Sequence, residues 1–158
     1  MDRKNRVLNE QQKQAIASLG RRFSDATIFL HEAIAHRGGL TVTDHKYLGL
    51  IMQKGPMTAG ELSQLAGLTT GAITGVVDRL EKKKLVKRQF DKSDRRKIII
   101  VPNLENATKL FGGVQTQLRT RIFNMIATFS DDELNVIERY LQMTIDVMDE
   151  ITVDIKNK

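Results

Sequence analysis

Between positions 78 and 97 the chain carries ten Lys and Arg residues against four carboxylates, and cations at that density suit a polyanionic partner. Just upstream, Gly71, Thr74, Gly75 and Asp78 recur at steps of one, three and four residues. On a helix they share one side, with Thr70 slightly to its flank and Thr69 at its start. Threonine hydroxyls and methyls can touch base edges there, and glycines let the backbone approach a groove floor. The other reading of the two glycines is close packing of another helix, or tolerance of Gly71 near a helix start. Asp78 on that side would repel phosphates unless Arg79 or Lys82 neutralised it.

Other chemistry is thin. His31, His36 and His45 are the only histidines. His31 and His36 stand five apart and so do not share a helix face as an i, i+4 metal pair would, and no metal is expected. Zero cysteines exclude disulfides, thiolate metal sites, Fe–S clusters and thiol redox sensing. No Ser-His-Asp arrangement, phosphate-cradling glycine loop or carboxylate pair with a partner base is visible. Asp131, Asp132 and Glu133 read as first-turn charges favoured by a helix dipole. Neither an enzyme nor a cofactor is expected.

The elements that must position these residues are mainly helical. Ile16, Leu19, Phe23, Ala26, Leu30, Ala33 and Ile34 recur at three- and four-residue steps, which predicts a helix from about Gln12 to His36, closed by Gly38-Gly39. Thr43 is the expected N-cap of a second, shorter helix ending at Gly55-Pro56. Thr58 and Glu61 have capping-box spacing and open a third, from Ala59 to Ala66. A turn at Gly67 leads into a fourth helix, from Thr69 or Thr70 to about Lys83, with Ile73, Val76, Val77 and Leu80 inward. The period then becomes extended: Leu85–Phe90 and Lys97–Val101 suit strands, joined by Asp91-Lys92-Ser93-Asp94-Arg95-Arg96. Asn103 can cap a fifth helix bearing Ala107, Phe111, Val114, Leu118, Ile122, Met125 and Phe129. Ser130 and Glu133 open a sixth, with Leu134, Ile137, Leu141, Ile145, Met148, Ile151 and Ile155.

Two short helices around Gly67 followed by a basic hairpin match a winged helix-turn-helix. Ser63 is the small residue and Gly67 the turn glycine, and Leu62, Ala66, Leu68, Ile73 and Val76 fill the apolar positions. In the hairpin, an Asp94–Arg96 ion pair would stiffen the turn. Arg95 suits a minor groove, whose negative potential attracts it. Lys82, Lys83, Lys84, Lys87 and Arg88 suit phosphates, and Lys92, Arg95 and Arg96 surround Asp94 at the tip.

With 158 residues, 41% apolar and 28% charged, the chain has the composition of an ordinary globular protein. Its longest apolar run is four residues, Ile98–Val101, too short to span a bilayer. Met1–Gln14 lacks the apolar stretch of a signal peptide, so a cytoplasmic location is expected. The net charge is +6. Residues 131–158 hold eight acidic and three basic residues, so the cationic surface belongs to the middle of the chain.

Over nearly its whole length the sequence resembles the MarR (multiple antibiotic resistance regulator) family of transcription factors. The likeness rests on the segment from Glu61 to Leu80, ELSQLAGLTTGAITGVVDRL, and on Asp91–Lys97. The latter is similar to the family's Asp-x-x-Asp-Arg-Arg wing, with Ile100 where its longer motif usually ends in leucine. Three departures stand out. Lys84 replaces a glycine that usually ends the recognition helix, Pro102-Asn103 replaces Leu-Thr, and Asn106 replaces a common glycine. The resemblance implies an obligate homodimer on double-stranded DNA. The recognition helix (Thr69, Thr70, Gly71, Thr74, Gly75) would lie in the major groove. The wing (Lys87, Arg88, Lys92, Asp94, Arg95, Arg96) would lie at the minor groove. More loosely, it implies release by a small aromatic ligand. Phe23, Tyr47 and Phe111 are candidate pocket residues, with core packing as the other reading of each.

The expected organisation is therefore dimerisation helices in 1–37 and 104–158 around a DNA-binding region in 40–103. The expected function is regulation, as a repressor, of a pseudopalindromic operator with half-sites about 10 bp apart. A sequence-indifferent architectural DNA-binding protein is the alternative, and a helical adaptor that binds no DNA is a third reading.

Overall fold

A computed structural model of the protein describes residues 9–157; the polar N-terminal stretch at residues 1–8, with that part of the first dimerisation segment, lies outside it. The element order is α1 (Glu10–Arg37), α2 (Val42–Lys54), β1 (Met57–Thr58), α3 (Ala59–Ala66), α4 (Thr70–Lys82), β2 (Val86–Phe90), β3 (Ile98–Pro102), α5 (Leu104–Ile126) and α6 (Asp131–Lys156). Six helices and a small antiparallel sheet thus make a winged helix-turn-helix flanked by N- and C-terminal helices, as expected. The chain divides into two compact units at Gly113, within α5.

The first unit holds the core. Leu48, Ile51, Leu62, Ile73, Leu80, Leu85, Ile100 and Phe111 are all essentially inaccessible to solvent, and each such side chain stabilises the fold by about 1.5–3 kcal/mol. The four residues turned inward on α4, Ile73, Val76, Val77 and Leu80, are all buried, so the helical phase read from the sequence holds. Sheet order is β1-β3-β2, both pairs antiparallel. In the wing, Val86 faces Pro102 and Phe90 faces Ile98.

Caps define the helix starts. The Thr58–Glu61 and Ser130–Glu133 boxes both form, with side chain and backbone satisfying each other in both directions. Asn103 Oδ1 accepts from the Asn106 amide at the start of α5. Two local expectations are corrected, and one element is new. Thr41, not Thr43, caps α2, because its hydroxyl oxygen lies three residues before the Asp44 amide, which donates to it. Phe129 falls in the turn after α5, which ends at Ile126. The two-residue strand β1 was not foreseen: Met57 and Thr58 pair with Ile100 and Ile99, and two residues carry no readable periodicity.

Candidate nucleic-acid interface

Helix α3 ends where Gly67 takes a left-handed conformation (φ 64°, ψ 30°), which a Cβ would penalise. Its amide donates to Gln64 O, the Leu68 amide donates to Ser63 O, and the Ser63 hydroxyl donates to Leu68 O. The turn is fixed from three sides, and it sets the direction in which α4 departs.

Thr69 Oγ1 accepts from the Ala72 amide at 3.3 Å, making Thr69 the N-cap of α4. One turn later the Thr74 hydroxyl donates to Thr70 O at 2.9 Å. That proton is thereby committed, and the Thr74 oxygen faces outward as an acceptor beside its methyl. Thr70, Gly71 and Thr74 are exposed and Gly75 is half-buried. A Cβ built on Gly71 would meet nothing within 4 Å, and one on Gly75 would meet only the tip of Arg79 at 3.4 Å. Nothing among the described residues therefore packs against this face, and internal helix packing does not account for the two glycines.

The charges around α4 pair differently from the expectation. Arg79 turns to α2, where Nε and Nη2 bond both oxygens of Asp44 at 2.7–3.1 Å. Asp44, at 3% side-chain exposure, is a buried carboxylate. Asp78 is neutralised by Arg88 of β2, not by Arg79 or Lys82: Arg88 Nη2 lies 2.6 Å from Asp78 Oδ1 and Nη1 lies 2.6 Å from Glu81 Oε2. The Arg88 amide also donates to Glu81 Oε1 at 2.8 Å. These bonds, the backbone one foremost, hold the Glu81 carboxyl below its ordinary value. Arg88 is thus engaged within the protein, whereas Lys82, Lys83, Lys84 and Lys87 are exposed.

The wing tip is preorganised by two carboxylates. Asp91 Oδ1 accepts from the Ser93 hydroxyl and from the Ser93 and Asp94 amides. Asp94 Oδ1 accepts from the Arg96 amide and from Arg96 Nε at 3.2 Å, which is the ion pair the sequence suggested. Both carboxyls titrate below their ordinary range, Asp91 through Ser93 first and Asp94 through Arg96 first. Lys92, Arg95 and Arg96 are exposed. Among the described residues, Lys92 and Arg95 make no ion pair. Phe90, 68% exposed at the end of β2, has an aromatic ring on this wing that the sequence reading did not single out.

Behind the helix-turn-helix, α1, α2 and α3 border an open cleft of about 700 Å³, whose lining includes His31, His45, Tyr47, Leu50, Gln53 and Leu65. Of the three candidate aromatics, only Tyr47 lines it. Phe111 lies in the core, its ring edge-on to His45 at 5.4 Å. Phe23 is 70% exposed on α1, because it stands on the apolar stripe that leaves this chain's core. The His31 and His45 rings lie 5.6 Å apart, a neighbourhood created by packing α1 on α2. Among the described residues no group of three or more His, Asp or Glu is placed to hold a metal ion. No described helix is long and apolar enough to cross a membrane.

The MarR family model matches residues 40–98. The chain is 36% identical over 142 residues to the HTH-type transcriptional regulator YcgE of Bacillus subtilis, covering 90% of this chain and 91% of that one. It is 29% identical over 107 residues to the HTH-type transcriptional regulator MhqR of the same organism, 68% of this chain and 73% of the other. Among solved structures, a MarR family protein from Bacillus stearothermophilus superposes with a TM-score of 0.67 at 25% identity, covering 90% of this chain and 99% of that one. Streptococcus pneumoniae FabT, solved in complex with DNA, shares the fold with a TM-score of 0.71 at 16% identity, over 88% of this chain and 99% of its own.

Proposed function

The chain belongs to the MarR family of DNA-binding, winged helix-turn-helix transcriptional regulators, which are not enzymes, and on that premise we propose that it is a homodimeric repressor of a pseudopalindromic operator. Residues 40–103 read the DNA, and 1–37 with 104–158 form the dimer. Such a protein works in the cytoplasm, where its operator is.

One observation carries this reading: the outer face of α4 is polar, unobstructed and flanked by exposed lysines. Thr70 and Thr74 reach base edges in the major groove, with Thr74 Oγ1 accepting a hydrogen bond from an exocyclic amine. The bare backbone at Gly71 and Gly75 allows the close approach this needs. Arg95, held outward by a tip whose carboxylates face the turn, enters the minor groove. Lys87 and Lys92 meet phosphates. FabT, solved with DNA, supports the same use of the shared fold. A small aromatic ligand that releases the operator fits the cleft beside Tyr47, whose lining is mostly apolar and includes the polar side chains of His31, His45 and Gln53.

Selection of duplexes from a random pool by the purified protein, repeated with a panel of aromatic acids, tests the reading directly. A palindromic consensus is expected, and Thr74→Ala should lower the ratio of specific to nonspecific binding. Lys87→Ala should weaken both alike and flatten the salt slope by about 1.8 per dimer, at about 0.9 per lost phosphate contact. Arg95→Ala should weaken binding most where flanking steps are A·T-rich. Equal affinity for all sequences would favour an architectural DNA binder, and no binding at modest salt would favour an adaptor.

A further inference from the structure

The pairing of Arg88 sets it apart from the other cations of the wing. It sits mid-strand in β2, opposite the buried Ile100, and its side chain is only 28% exposed. Both ends of its guanidinium fork are occupied by carboxylates three residues apart on α4, Asp78 and Glu81, each at 2.6 Å. Its amide is tied to Glu81 as well. A guanidinium bridging two anions has no charge to spare for a phosphate, and the planar fork fixes direction as well as distance. Asp78 continues the outward face that carries Gly71 and Thr74, so the clamp joins the far end of the base-facing surface to the root of the wing.

We infer that Arg88 is a positioning residue: clamping Asp78 and Glu81, it sets the angle between recognition helix and wing, so that both grooves are read in one register. This rests on the DNA-binding reading above. Lys87, the adjacent residue on the other side of the same strand, remains a phosphate ligand, and the pair makes an internal comparison. The inference also gives Asp78 and Glu81 a use: unpaired carboxylates near DNA would repel phosphates, and paired with Arg88 they serve geometry instead.

The experiment measures affinity against salt for the intact protein and for Arg88→Ala, Arg88→Lys, Asp78→Asn and Lys87→Ala, on the selected operator and on a scrambled duplex. Hydroxyl-radical footprints of each complex are taken alongside. Arg88→Ala should lose at least tenfold in operator affinity with the salt slope unchanged, and should lose protection at the minor-groove flanks while the centre of each half-site stays protected. Arg88→Lys, a point charge without the fork, should restore little. Asp78→Asn should also lose flank protection, although it removes a negative charge near DNA; it keeps the size and shape of the side chain and so remains informative if Arg88→Ala lowers the melting temperature. A slope drop of about 1.8 for Arg88→Ala, matching Lys87→Ala and equal on both duplexes, would overturn the inference and make Arg88 a phosphate ligand. So would Asp78→Asn that tightens binding with its footprint intact. Failure of the unmodified protein to prefer the operator would instead sink the DNA-reading proposal itself.

Discussion

Lys84 shows how a single residue departs from a pattern and is accommodated. It is the one non-glycine among the described residues with a positive φ, 60°, where α4 ends with the Lys84 amide bonded to Glu81 O and the Leu85 amide to Leu80 O. The family's usual glycine would take this conformation freely. A second departure meets the first: Asn106 Nδ2 donates to Lys84 O at 2.9 Å, a bond that a glycine at 106 could not make. Lys84→Gly should raise stability by about 1 kcal/mol, read as a higher urea midpoint with an unchanged m-value; an unchanged or lower midpoint would show the strain to be absent. A different test applies to His45, whose imidazole is held below its ordinary value by burial first and by His31 second. A lowered histidine pKa favours the neutral ring in the fold, so its stabilising contribution is present above about pH 6.5 and is lost as pH falls through the folded value. Stability should therefore decline from pH 7 to pH 5, and His45→Gln should flatten that decline. The same slope in both proteins would clear the imidazole of responsibility.

Among elements, α2 and α4 are joined by the ion pair of Asp44 with Arg79, which links a buried carboxylate to a half-exposed guanidinium. Removing the guanidinium strands the carboxylate without its charged partner. Arg79→Ala should accordingly cost about 2 kcal/mol, less than a wholly buried pair because water reaches the arginine, and Asp44→Ala in the same chain should recover part of it. Thermal unfolding of the two single variants and the double variant checks this, and strict additivity would refute it. The pair also marks the limit of what the sequence conveys. The start of α3, the turn at Gly67 and the inward and outward faces of α4 were legible because capping, left-handed glycine and helical periodicity are local. So was the Asp94–Arg96 turn. Arg79 with Asp44, and Arg88 with Asp78 and Glu81, were not, because several carboxylates compete for each guanidinium and only packing decides among them. For Arg79, 35 residues separate the partners. Phe111 takes the core-packing alternative: its periodicity says that it is buried, but not against what.

At the scale of the molecule, the outstanding feature is the apolar surface left uncovered. No residue of α6 is buried, although Leu141, Ile145, Met148 and Ile151 lie at helical spacing along it and are all exposed. Ile16 and Leu19 of α1 are exposed as well. Such stripes are stable in water when a second chain covers them. The protein should sediment as a dimer at micromolar concentration. Ile145→Asp should shift it towards monomer and lower operator affinity at least about a hundredfold, since two linked half-sites become one. A monomer with the fold intact would dispose of the dimer proposal.

Thr58 belongs to two structures at once. It pairs with Ile99 as the last residue of β1, and its hydroxyl caps α3 through Glu61. No spacer separates sheet from helix, so the count of residues at this corner is itself a constraint. An inserted residue would have to break either the strand pairing or the cap, and each break would reach the wing or the helix-turn-helix. The loop from Asp91 to Lys97 is also held by fixed-spacing hydrogen bonds from Asp91 and Asp94, but an insertion there leaves β1 and the start of α3 untouched. Among sequences of this architecture, length variation should be rare at the residue pair Thr58-Ala59.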